Sequence, residues 1–72
     1  MDMKNMINKI HFINVENDEM VAVKITEAVP RVGDEIRLRE DLFYEVIKVV
    51  WVYDEEEPVY QRVNIGVKPI AL

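Results

Sequence analysis

The chain has 72 residues, a net charge of −5 at neutral pH and a hydrophobic content of one half. A chain of this length forms a single domain, residues 1–72, and buries only about 60% of the surface that its unfolded form exposes. It contains no cysteine and one histidine, His11, so disulfides and thiolate zinc sites are excluded and a histidine-based metal centre cannot be built. We therefore expect no cofactor and no metal.

The acidic balance also bears on partners and location. A general binder of the nucleic-acid backbone needs clustered lysine and arginine, which disfavours that function here. The longest uninterrupted apolar run, residues 49–53, is far shorter than the roughly 20 residues of a membrane span. The N-terminus lacks the apolar core of a secretory signal. We expect a cytoplasmic protein with no membrane contact, whose partner is neutral or basic.

The first nine residues have two interpretations. Met3, Met6, Ile7 and Ile10 follow the spacing of one apolar helix face. A helix this short forms only when it docks on something, and a flexible terminus fits the sequence equally well. Residues 1–9 are therefore expected to be a short docking helix or a disordered segment.

From residue 10 onward the pattern predicts five strands separated by turn residues. In the second strand Val21, Val23 and Ile25 share one face, and in the third Ile36 and Leu38 point inward. Short strands at this spacing are typical of an all-β barrel or sandwich. The predicted strands are residues 10–15, 20–26, 35–39, 42–53 and 59–67.

The long fourth strand cannot alternate without a break. One unbroken register buries Lys48 and the other buries Glu45, and an unpaired buried charge is costly. A β-bulge near Ile47 and Lys48 removes the conflict and supplies the bend that a small barrel needs. The residues then predicted to point inward are Tyr44, Val46, Val49, Trp51 and Tyr53.

The hairpin that follows predicts an outer apolar surface. If Tyr53 pairs with Val59, Trp51 lies opposite Gln61 and acts as the core anchor of the barrel. The outward pairs are then Val52 with Tyr60 and Val50 with Arg62. We take these residues and a neighbouring lysine as the candidate interaction surface: Lys48, Val50, Val52, Tyr60 and Arg62. This surface is either covered by the N-terminal segment or is a dimer or partner interface. The two can also combine, if an N-terminal segment exchanged between two copies covers the surface in a dimer.

Residues for catalysis are scarce. The chain has no serine and no cysteine, and Thr26 is its only threonine, so nucleophilic triads are nearly excluded. His11 lies in a predicted strand, and the chain has no cysteine or serine that it could activate as a general base, so it is assigned a structural or exposed role. The acidic run at residues 54–57 is interpreted as a solvated hairpin tip. We expect no enzymatic activity and no small-molecule substrate.

Three segments together resemble a known group of proteins. They are Pro30-x-Val32-Gly33-Asp34, then Tyr44-x-Val46-x-x-Val49-x-Trp51, then the alternating residues 59–67. This pattern resembles small SH3-like β-barrel proteins of uncharacterised function from phages, integron cassettes and other mobile elements. The resemblance covers residues 28–67 and implies a five-stranded SH3-like barrel without catalytic residues.

Such barrels bind proteins, bind nucleic acids or form parts of virions, and the resemblance implies one of these functions. The leading prediction is a non-enzymatic protein-interaction module, an accessory protein of a phage or mobile element that binds a host partner or a second copy of itself. The first alternative is a nucleic-acid-binding barrel, in which outward basic residues and Tyr60 bind single strands. The second alternative is a structural or assembly component of a virion. The basic residues are Lys24, Arg37, Arg39, Lys48 and Arg62.

Overall fold

The computed structural model describes residues 7–53 and 59–71 of the chain. These residues form one five-stranded sheet that curls into a half-barrel, and the described part of the chain contains no helix. The prediction of an all-β domain is confirmed at this level. The strands are β1 (Ile7–Asn14), β2 (Glu19–Thr26), β3 (Glu35–Arg39), β4 (Leu42–Val52) and β5 (Tyr60–Pro69).

The order of strands across the sheet is β2-β1-β5-β4-β3. β1 pairs antiparallel with β2 and parallel with β5, while β4 pairs antiparallel with both β5 and β3. The first and last strands are therefore neighbours at the centre of the sheet. β2 and β3 are its two edges and do not pair with each other in the described residues. The half-barrel is thus open along one side.

The hydrophobic core lies on the concave face of the sheet. Alternate residues of the three central strands are buried there, as the two-residue period of a strand requires. Ile36 and Leu38 pack against this core from β3, which confirms their predicted inward orientation. The buried core residues are Ile10, Phe12, Tyr44, Val46, Val63, Ile65 and Val67.

The connector between β2 and β3, residues 27–34, joins the two opposite edges of the sheet. Val29 packs against the core, so the connector lies on the concave side. Its end is fixed to β4, because the Gly33 amide donates to the Val46 carbonyl at 2.9 Å and the Val46 amide donates to the Asp34 carbonyl at 2.9 Å. Gly33 has φ +98°, a conformation that favours glycine, so the predicted turn at this position is confirmed.

The pairing of β4 with β5 changes register where the sequence predicted an irregularity. Val46 lies opposite Val67 and Lys48 lies opposite Gly66, so Ile47 has no partner in this ladder. Tyr44 and Val46 are buried before this point, and Val49 packs against the core after it. The change of register therefore keeps both Glu45 and Lys48 on exposed positions.

The N-terminal strand begins earlier than predicted. Residues 7–9 belong to β1 and were predicted to lie in a separate N-terminal segment. They extend the ladder because Ile7 lies opposite Tyr60 and Asn8 opposite Gln61 on β5. Residues 1–6, which include Met3 and Met6, lie outside the described residues, as do residues 54–58 with the predicted acidic hairpin tip.

The sequence predicted that Val21, Val23 and Ile25 of β2 share one face, but in the structure they do not. Val23 and Ile25 are 43% and 53% exposed, whereas Val21 packs against the core. The reason is a second change of register: Phe12 lies opposite Ala22 and Ile13 opposite Met20, which leaves Val21 without a partner in the ladder. The strand therefore switches phase at Val21, and its later branched residues face solvent.

Trp51 and Tyr53 are not core residues, and this part of the prediction is wrong. They are 43% and 77% exposed. The predicted hairpin pairing is shifted by two residues, so Trp51 lies opposite Val63 and not opposite Gln61. This shift keeps every side chain on its predicted face and sets apolar residues opposite each other. The core ends near Val49, and β4 continues beyond it toward the open end of the half-barrel.

Candidate interaction surface

The convex face of the sheet carries three rows of side chains across β2, β1, β5 and β4. Residues directly opposite each other in a ladder point to the same face, so the pairings define these rows. The rows are Ile25, Lys9, Arg62 and Val52; then Val23, His11, Asn64 and Val50; then Met20, Ile13, Gly66 and Lys48.

The five residues of the predicted surface all lie on this convex face. Lys48, Val50 and Val52 follow one another at alternate positions of β4, and Arg62 lies directly opposite Val52. Tyr60 is one row further along β5, opposite Ile7 and not opposite Val52 as predicted. Val50 is 43% exposed and Lys48 is exposed, whereas the other three residues are half-buried. The most accessible part of the surface is therefore its Lys48 and Val50 end.

Hydrogen bonds fix the geometry of the Arg62 end. The Arg62 Nε donates to the Asn64 Oδ1 at 3.2 Å, along the same face of β5. The Gln61 side-chain amide donates to the Val52 carbonyl at 3.0 Å. Lys9 Nζ lies 6.0 Å from the centroid of the Tyr60 ring, at the outer limit of a cation–π contact.

The convex face carries only positive charge within these three rows, although the chain as a whole is acidic. Lys9 and Arg62 occupy its middle, and Lys48 lies at one end. No acidic residue belongs to the three rows. A further row of the same face, toward β3, contains two acidic residues, because Glu45 lies opposite both Glu35 and Lys68. The three rows therefore combine apolar side chains with positive charge, which fits a partner that offers apolar and acidic groups.

A second apolar strip on this face was missed by sequence reasoning. Met20, Val23 and Ile25 of β2 are all exposed and flank the basic middle on the side away from β4. The sequence placed Val21, Val23 and Ile25 on one face, and only the change of register at Val21 turns the last two to solvent.

A hollow of about 300 Å³ lies at the Lys48 end of the convex face. Gly66 forms its floor, between Val15 and the stem of Lys48. A Cβ placed on Gly66 would lie 2.8 Å from Val15 Cγ1 and 3.1 Å from Lys48 Cγ, so any side chain there would crowd the hollow. We refer to this feature as the Gly66 hollow. An isolated glycine inside a predicted strand is the sequence signal for such a close approach.

Another depression, of about 380 Å³, lies at the open end of the half-barrel, where the connector meets β4. Trp51 and Val49 line one side of it, and residues 29–32 line the other. It places an exposed tryptophan beside a proline and branched side chains.

Within residues 7–53 and 59–71, no three or more His, Cys, Asp or Glu side chains group closely enough to hold a metal ion. The same part of the chain has no helix long and apolar enough to cross a membrane. Comparison with family models, with curated proteins and with solved structures gives no match to this chain.

Proposed function

We propose that this chain is a non-enzymatic protein-interaction module that binds its partner through the convex face. The observation that carries the proposal is the exposed Val50, which continues into Val52 and is bordered by Lys48 and Arg62. Contiguous exposed apolar side chains with a polar rim are typical of protein contacts. The partner that fits this surface offers apolar side chains together with carboxylates.

Two arguments favour a different protein over a second copy of this chain. Two copies placed against each other about the middle of the three rows would bring Lys9 of one copy near Lys9 of the other, and like charges at an interface are costly. Pairing between sheet edges is also hindered. The change of register at Val21 interrupts β2, and β3 has only five residues with three charged ones among them.

The finer fold assignment is part of the proposal. We infer an SH3-like barrel whose fourth strand contains a β-bulge at Ile47. Between two successive pairs, β4 advances by two residues, from Val46 to Lys48, while β5 moves by only one, from Val67 to Gly66. Cross-strand nuclear Overhauser effects test the bulge. They should join Val46 to Val67 and Lys48 to Gly66, and a regular ladder that includes Ile47 would contradict it.

The interaction proposal is tested by capture experiments in which the wild-type chain, Val50→Glu or Arg62→Glu serves as the bait. Each variant should lose the same captured protein while its NMR spectrum stays that of a folded chain. Matched controls carry the same changes outside the three rows of the convex face: Val32→Glu in the connector and Arg37→Glu on β3, both at exposed positions. Retention of the partner by Val50→Glu and Arg62→Glu, or its loss with the controls, would contradict the proposal.

Light scattering separates a second copy from a different protein. If the wild-type chain is a dimer and Val50→Glu is a monomer, the partner is the chain itself. Growth into higher oligomers would instead favour the alternative of a virion or assembly component, because contacts that do not close on themselves continue into larger assemblies.

A nucleic-acid-binding barrel is the second candidate function. It is supported by Tyr60 beside Lys9 and by the further positive charges of Arg62 and Lys48 on one face. Aromatic and basic groups on one sheet surface are the elements of single-strand binding. The test is fluorescence anisotropy of a labelled single-stranded oligonucleotide at low and high salt. Binding that weakens with salt and with Tyr60→Ala supports it, and no binding at low salt contradicts it.

On resemblance alone, we propose that the chain acts in the cytoplasm as an accessory protein of a phage or mobile element. Genes for phage or mobile-element functions on either side of the coding sequence would support this origin. A neighbourhood of conserved housekeeping genes would count against it.

A further inference from the structure

We propose that the Gly66 hollow binds the C-terminal residue of a partner polypeptide, with its carboxylate on Lys48 and an aliphatic side chain in the hollow. This proposal rests on the proposed protein-binding function and specifies the part of the partner that is recognised. A hollow of about 300 Å³ is at the small end of the range for ligand pockets, which suits one residue better than a larger ligand.

The walls of the hollow are aliphatic on three sides. Ile13 of β1 lies opposite Gly66, and Val50 of β4 lies one row away. Val15 closes the hollow beyond the end of β1, and its amide donates to the Val67 carbonyl at 2.9 Å. Val15 Cγ1 and the Lys48 stem already cover the position that a Cβ on Gly66 would occupy, so a branched aliphatic group would pack on these side chains and not on the β5 backbone.

Two side chains that can donate to a carboxylate line the hollow, Lys48 from β4 and Asn64 from β5. Among the described residues, no carboxylate forms an ion pair with the Lys48 ammonium. Asn64 accepts from Arg62 through its Oδ1, so its amide NH₂ group remains as a donor on the same face. An ammonium and an amide NH₂ together match the two oxygens of a terminal carboxylate, and the ammonium makes the stronger, charge-assisted hydrogen bond.

The remaining polar group of the hollow is an acceptor. Asp18 lines it from the β1–β2 loop, and its carboxylate suits the N–H of the residue that carries the terminal carboxylate. This negative charge also disfavours ligands that are purely anionic, such as phosphate. The hollow therefore combines a cationic donor, an amide donor, aliphatic side chains and one acceptor, which are the groups that recognise one amino-acid residue with a free carboxylate.

The loop that carries Asp18 is held in place by its own hydrogen bonds. The Asp18 amide donates to the Asn14 carbonyl at 2.7 Å, and the Glu16 amide donates to the Asn14 Oδ1 at 2.8 Å. Asp18 has φ 62°, which aspartate tolerates better than most residues. A wall fixed in this way needs little ordering when a ligand binds, which reduces the entropic cost of binding.

The test is NMR titration of the ¹⁵N-labelled full chain with acetyl-Gly-Gly-Leu. The peptide with a free carboxylate should shift the amide resonances of Gly66 and Asn64 in a saturable manner. The same peptide with a C-terminal amide should bind at least about tenfold more weakly, because it cannot form the charge-assisted contact. Acetyl-Gly-Gly-Gly should also bind more weakly, since it has no aliphatic side chain.

Lys48→Met is the decisive variant, because it keeps an unbranched apolar stem and removes the ammonium. It should abolish the preference for the free carboxylate, whereas the matched control Lys24→Met on β2 should retain it. Gly66→Ala should weaken binding of the peptide by filling the floor of the hollow. If that variant does not fold, the comparison of Lys48→Met with Lys24→Met still decides the question.

Three results would overturn the proposal. They are equal affinity for the free and amidated peptides, shifts that map away from Gly66, and tighter binding of free leucine than of the acetylated peptide, which would assign the hollow to an amino acid. Absence of peptide binding while Val50→Glu still abolishes partner capture would reject the C-terminal residue and leave the interaction proposal standing. Absence of both would reject both.

Discussion

Two isoleucines on opposite faces of the sheet should differ greatly in the stability that is lost when each is changed to alanine. Ile10 on β1 lies opposite Lys24, and Ile25 on β2 lies opposite Lys9, so the two isoleucines are diagonal neighbours in one ladder. Ile10 is 0% exposed on the concave side, while Ile25 is exposed by more than half on the convex side. Ile10→Ala and Ile25→Ala therefore remove the same atoms from the core and from the surface.

The expected magnitudes follow from burial. Ile10→Ala should cost about 2–5 kcal/mol, since it removes buried methyl groups and leaves a cavity. Ile25→Ala should cost less than about 1 kcal/mol, because much of the removed surface already contacts water. At about 0.05–0.15 kcal/mol per residue, the 72-residue chain has a free energy of unfolding of about 4–11 kcal/mol. The first change thus removes a large share of the total stability.

Urea unfolding followed by far-ultraviolet circular dichroism measures both costs, and the slope of each transition checks that the same surface is exposed. The Tm of Ile10→Ala should fall by at least about 8 °C, since about 1 kcal/mol corresponds to about 4–8 °C for a domain of this size. If Ile25→Ala costs as much as Ile10→Ala in a monomeric sample, Ile25 belongs to the core and the assignment of faces on β2 is wrong.

Three further changes test other parts of the fold by the same denaturation assay. Gly33→Ala should lower the free energy of unfolding by about 1–2 kcal/mol through its positive φ alone, because nothing lies within 4 Å of an added Cβ; no loss would mean that the turn differs. Gly66→Ala should cost about 1–3 kcal/mol because its Cβ meets Val15 Cγ1, and an unchanged midpoint would show that Val15 moves freely. Asn8→Ala should cost about 1 kcal/mol, since the buried Asn8 amide donates to the Glu27 carbonyl at 3.0 Å; equal stability would show that water replaces this bond.

Local patterns predicted the strands well where one face is clearly apolar. The alternation of β3 identified Glu35–Arg39 with the bounds that the structure has. The conflict between Glu45 and Lys48 located the change of register in β4, because burial of an unpaired charge is costly enough to decide between alternatives. These inferences needed only the residues of the strand itself.

Long-range pairing could not be predicted in the same way. A shift of two residues between β4 and β5 leaves every side chain on its face, so alternation alone does not distinguish the predicted pairing from the observed one. The exposure of Trp51 depends on where the core ends, which the curl of the whole sheet decides. The Gly66 hollow likewise depends on β1 lying beside β5, a contact between distant parts of the chain.

The parallel pairing of β1 with β5 has a consequence for how the chain folds. Ile10 and Val63 meet across the centre of the sheet although 63 − 10 = 53 positions separate them in the chain. Such contacts form only after a large loop closes, so the relative contact order is high and folding is expected in milliseconds to seconds. During synthesis, the β1–β2 hairpin must wait for β5 to leave the ribosome before its central ladder can form. Until then its apolar concave face stays exposed, so we expect the incomplete chain to be the form that binds chaperones or aggregates.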